Sequence, residues 1–133
     1  MPAHKPFEFA TIRVVPRVER GEFVNAGVIL FCLSDKFLEA RVRLDEARVE
    51  ALWPGTDVEA LREHLDAFPK ICRGVAGAGP IAQLPVRERF QWLVAPRSTV
   101  LQISPVHSGL CESPETTLED LFRSLVSGTV SDR

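Results

Sequence analysis

The chain has 133 residues, 45% of them hydrophobic and 26% charged, with a net charge of −2. That balance predicts one ordinary folded domain over 1–133, burying about two-thirds of its unfolded surface without metal or disulfide staples. The charge supplies no global pull toward nucleic acid or membrane, and it weighs against extended nucleic-acid binding.

In chain order, Phe7 to Val15 alternates, with Ala10, Ile12 and Val14 on one face and Phe9, Thr11 and Arg13 on the other. This is the pattern of a half-buried strand, ended by Pro16. Gly21 can supply the positive φ of a hairpin return. From about Phe23 to Leu33 the chain is apolar on both faces after Gly27, which predicts an interior strand. Phe37 to Leu44 follows with period two, completing an antiparallel meander. Asp45 caps a short helix from Glu46 to Trp53, stopped by Pro54-Gly55. Thr56-x-x-Glu59 fits a capping box opening a helix over 57–73, whose stripe is Val58, Leu61, Leu65 and Phe68. Pro69 should kink or break that helix near its end. A helix over 86–94, a strand over 99–104, a loop at His107-Ser108-Gly109 and a helix over 115–127 complete the pattern. Residues 1–6 and 130–133 should fray.

These elements define an α+β fold: a single two-layer domain with an antiparallel sheet of about four strands and helices packed on one face.

Candidate chemistry is sparse. Cys32, Cys72 and Cys111 are odd in number, far apart and outside any C-x-x-C pair, which favours reduced, buried thiols in a cytoplasmic protein. The start, Met1 to Pro6, lacks the apolar region of a signal peptide, and no apolar run approaches the ~18 residues that span a bilayer. His4, His64 and His107 are too scattered for a metal site, so neither metal nor cofactor is expected. Gly74 to Gly79 resembles a phosphate loop only in glycine content; without a following Lys-Ser/Thr it reads as a linker.

Three groups of residues remain. Glu22, Asn25 and Gly27 are residue types that strands avoid, and they mark either a bulge or a site. Arg13, Arg41 and Arg43, with Thr11 and Glu39, share a sheet face that is either solvated or anion-binding, because guanidinium forks grip phosphates and carboxylates. His107 projects from a loop that follows a strand. Together these give a candidate functional cluster of Arg13, Arg20, Glu22, Asn25, Gln102 and His107, and a candidate anion site at Arg41 and Arg43.

Arg13-Val-Val-Pro16, then Glu19-Arg-Gly-Glu-Phe-Val-Asn-Ala-Gly-Val-Ile-Leu-Phe31, resembles the bacterial family called domain of unknown function 3037. Arg89-Phe-Gln-Trp-Leu93, Ser98 to Gly109 and Leu121-Phe-x-x-Leu-Val126 are similar to its later blocks, so the resemblance covers nearly the whole chain. Where relatives commonly carry an acidic residue after the proline, this chain has Arg17. The resemblance implies no established activity. It does imply a genomic neighbourhood shared with kinases resembling the HipA toxin, and hence a protein partner.

The sequence therefore points to a small cytoplasmic interaction or regulatory module, acting with a HipA-like kinase. The alternative is a phosphate-directed enzyme or nucleic-acid-binding domain. There Glu22 would be the acid or base, Asn25 and Gln102 orienting amides, Arg13 and Arg20 anion clamps, and His107 a second proton carrier. That alternative requires these side chains to meet in one concave pocket.

Overall fold

The computed structural model describes residues 4–97 and 99–128. Expectations for 1–3 and 130–133 lie outside the described residues. Lys5 and Pro6, expected to fray, instead open the first strand.

That strand, β1 (Lys5–Val14), organises the sheet. It pairs antiparallel with β2 (Val24–Cys32), which pairs antiparallel with β3 (Phe37–Val42). The other edge of β1 is shared: β4 (Leu101–Ile103) takes Ile12 to Val14, and β5 (His107–Cys111) takes Lys5 to Phe9. Ser104 fills the gap between them. Its amide donates to the Thr11 carbonyl at 2.9 Å, and its hydroxyl accepts from the Thr11 amide at 2.8 Å. No backbone group of Thr11 is thus left orphaned inside the sheet.

The fold is α+β with an antiparallel sheet, as its alternation predicts. Four α-helices accompany the sheet among the described residues: α1 (Glu46–Leu52), α2 (Val58–Arg73), α3 (Val86–Leu93) and α4 (Pro114–Phe122). A π-helical turn, Arg123–Ser127, prolongs the last one. On one face Ile12, Val14, Ile29, Phe31, Leu38 and Ala40 pack with Val49 of α1, Leu61, Leu65 and Phe68 of α2, and Phe90 and Leu93 of α3. On the other face Phe7, Val28, Leu30 and Cys32 pack with Cys111, Leu118 and Val126.

Helices therefore cover both faces, three on one side and α4 on the other. This corrects the expectation of helices on one face. The physical reason lies in β2, where alternate residues are apolar on both sides and each side needs a cover. Burial of each such Val, Leu or Phe contributes about 1.5–3 kcal/mol, so neither face tolerates solvent.

Local signals were mostly obeyed. Asp45 and Ser113 accept from the amides of Arg48 and Thr116, and Gly74 closes α2 with φ +66°. Two differ. Asp57, not Thr56, caps α2 by accepting from Ala60, while the Thr56 hydroxyl donates to the Trp53 carbonyl. And α2 runs unbroken through Pro69 to Arg73, held by the apolar stripe on either side of the proline.

Candidate functional site

The register of β1 decides which candidates meet. Arg13 lies opposite Asn25 on one side and Gln102 on the other, so the three form a row across β2, β1 and β4. The row sits on the face covered by α4, because its neighbours Val14 and Leu101 belong to the opposite core. The β1–β2 register shifts between Ile12, which faces Gly27, and Arg13, which faces Asn25. Ala26 is the extra residue of this bulge. The bulge re-aims Asn25 so that its Nδ2 donates to the Leu125 carbonyl at 3.1 Å, inside the π-helical turn.

The rest of the row is partly satisfied. The Arg13 guanidinium lies 4.3 Å from the centroid of the Phe23 ring, a cation–π contact. Gln102 Nε2 donates to the Thr99 carbonyl at 3.0 Å. Arg13 Nε and Asn25 Oδ1 are shielded from solvent and have no hydrogen-bond partner among the described residues.

The remaining candidates stand elsewhere. Arg20 Nε donates to Glu22 Oε1 at 2.7 Å in the exposed hairpin loop. That bond holds the Glu22 carboxyl below its ordinary range and raises Arg20 above its own. A carboxylate stabilised in its charged form is a poor proton carrier near neutral pH. His107 is not on a loop. It opens β5 opposite Phe9, with ring centroids 5.3 Å apart. Phe9 and Arg13 are four residues apart on β1, about 13 Å, so His107 does not join the row. The pocket required of Glu22, Asn25, Gln102 and His107 is absent from this arrangement.

The expected anion-binding face is also altered. Arg41 Nη1 pairs with Glu119 of α4 at 2.6 Å and lies over the Phe122 ring, fastening the helix to the sheet. Arg43 is exposed at the end of β3, its amide donating to the Ala26 carbonyl at 2.8 Å. Thr11 is buried and bonded to Ser104. The face of Thr11, Arg13 and Arg41 carries a helix in place of solvent or an anion.

A different concavity went unseen in the sequence. Phe68 and Ile71 of α2, Trp92 and Leu93 of α3, and Val100 and Leu101 leading into β4 line an apolar groove of about 370 Å³. Trp92 is 44% exposed and Val100 39% exposed at its rim. The Arg97 guanidinium stacks on the Trp92 ring at 5.1 Å and donates to the carbonyls of Leu93 (2.7 Å) and Trp92 (3.3 Å). Burial lowers its pKa, though the contacts to the end of α3 hold it in place. The signal that could have found this groove was Trp92 itself, which falls off the Phe90–Leu93–Val94 stripe of its helix.

The family model described as protein of unknown function (DUF3037) matches residues 9–126. The chain belongs to the DUF3037 family. No curated protein and no solved structure matches it. The DUF3037 match runs from the middle of β1 to the π-helical turn, so the Asn25–Arg13–Gln102 row and the Trp92 groove both fall within it. Among the described residues, no helix is long and apolar enough to cross a membrane. No three His, Cys, Asp or Glu side chains among them gather as a metal-binding group.

Proposed function

We propose that this DUF3037 chain is a single cytoplasmic domain serving as a protein-interaction or regulatory module, with a HipA-like kinase as its partner. The observation that carries the reading is Trp92, exposed on the rim of an apolar groove with Arg97 stacked on it. A solvent-facing helical position suits a polar residue, whereas an indole there loses the stabilisation that burial brings. Trp and Arg are also the residue types that dominate binding energy at protein interfaces, where a partner's apolar side chain fills such a groove. Phe23 under Arg13 and Trp53 under Arg17 repeat the pairing on exposed surfaces.

Co-expression with the kinase encoded nearby, followed by co-purification, tests the reading. The native chain should retain the kinase at micromolar concentration and moderate salt, and Trp92→Ala should lose it while folding normally. Absence of the kinase from the native preparation, or equal retention by Trp92→Ala, overturns it. The enzyme alternative lacks the pocket it requires: Asn25, Arg13 and Gln102 share a row, but Glu22 and His107 stand apart from it.

A further inference from the structure

Where the end of α2 meets β3, Lys36, Glu39, Arg73 and Arg89 line a pocket of about 310 Å³ above the buried Cys72. Three cations against one carboxylate leave two positive charges unmatched, in a chain whose net charge is −2. None of the lining residues belongs to the Trp92 groove.

The cations are held but not neutralised. Arg73 Nε donates to both Glu39 oxygens at 3.2 Å, which orients the guanidinium and leaves its terminal nitrogens for another acceptor. Arg89 donates one terminal nitrogen to the Ala82 carbonyl at 3.3 Å, and its Nε is shielded from solvent without a partner. Among the described residues no carboxylate pairs with Arg89 or Lys36. The carbonyls that end α2 do not oppose an anion strongly, because those of Ile71 and Lys70 accept from Gly74 and Val75 at 3.1 Å each. Desolvated or shielded guanidinium groups with unspent donors bind planar or tetrahedral oxyanions well.

We propose that this pocket binds the dianion of a phosphate group. Arg73 and Arg89 supply fork donors, Lys36 supplies a point charge, and Glu39 positions Arg73. Two unmatched positive charges suit a phosphate dianion better than a single carboxylate. Neither Arg41, which pairs with Glu119 of α4, nor Arg43 lines this pocket.

The test is an amide chemical-shift titration with inorganic phosphate in slightly alkaline buffer, with sodium chloride holding the ionic strength constant. Saturable shifts are expected at residues 36–39, 72–74 and 88–90. Arg73→Gln, whose side chain is 60% exposed, leaves the packing alone and should weaken binding about tenfold. Glu39→Gln, whose amide oxygen can still accept from Arg73 Nε and so keep it in place, should tighten binding, since the pocket then lacks its one negative charge. Arg43→Gln, four residues beyond Glu39 and outside the pocket lining, should change nothing. Shifts that do not saturate, that sodium chloride alone reproduces, or that survive in Arg73→Gln overturn the site. So does a Glu39→Gln variant that binds phosphate more weakly than the native chain.

Discussion

Asn25 Nδ2 donates to the carbonyl of Leu125 at 3.1 Å, one hundred residues further along the chain. A π-helical turn shifts carbonyls out of the regular ladder, and this one is satisfied from the sheet. The amide can point only one way, because Oδ1 against a carbonyl would repel. Asn25→Ala should therefore destabilise the fold by about 1–2 kcal/mol by stranding a half-buried acceptor. Denaturant melts measure the loss, and hydrogen exchange should quicken first over 114–127. An unchanged melt would mean that the bond is not made in solution.

Gly27 should resist any side chain. A Cβ there would stand 2.9 Å from Val42 Cγ1 and 3.0 Å from both Ile12 Cδ1 and the Arg41 carbonyl oxygen. The oxygen belongs to the backbone of β3, so relief requires two paired strands to move apart. Gly27→Val should destabilise by roughly 1–3 kcal/mol despite the better strand propensity of valine. Gly27→Ala should lose less, since it regains about 0.5–1 kcal/mol of chain entropy. Thermal melts that rank valine equal to or above the native chain would contradict the packing.

The Glu22 carboxyl should titrate below the ordinary glutamate range, because Arg20 donates to its charged form. The sign follows from linkage: with the folded pKa lowered, the contribution is present above the unfolded value and is lost as pH falls through the folded one. Both groups are exposed, so salt should weaken the effect. Carbon-detected titration of the carboxyl checks this, and Arg20→Gln should return it to the ordinary range.

The described thiols should be silent in the folded state. Cys32, Cys72 and Cys111 are all free and buried, and burial pushes the Cys72 and Cys111 thiols up, away from the reactive thiolate. An aromatic disulfide reagent should label none of them rapidly until denaturant is added. Fast labelling of Cys72 in the native chain would place it outside the core.

Much of this fold was legible. The alternation of β1 and β3, the stripe of α2 and the Asp45 cap are local signals, and the elements formed where they pointed. What local signals lack is direction across space. The stripe of α4 announces an apolar face but not which side of the sheet it covers. The clue lay in β2, where Val28 and Leu30 oppose Ile29 and Phe31. Gly27 was legible only as a residue that strands avoid; which segments crowd it, Val42, Ile12 and the Arg41 carbonyl, depends on the strand register.

Strand β5 was missed because His-Ser-Gly-Leu-Cys has little β-propensity. It forms because Gly109 leaves room for the Phe7 ring, which would stand 2.9 Å from any Cβ there. The candidate cluster depended on that same register. Without β5, nothing in the sequence separates His107 from Gln102, although the strands beneath them pair with different halves of β1.

The two hydrogen bonds between Ser104 and Thr11 join positions 93 residues apart, whereas only residues 15–23 separate β1 from β2 and 33–36 separate β2 from β3. Closing the longer loop carries more entropy, so the meander has the shorter route to order. Until β4, β5 and α4 arrive, β1 presents an open edge and Val28, Leu30 and Cys32 lie bare, the condition that invites association between unfinished chains. In refolding, the Thr11 amide is therefore a clock for the final step, gaining protection from exchange only when Ser104 docks.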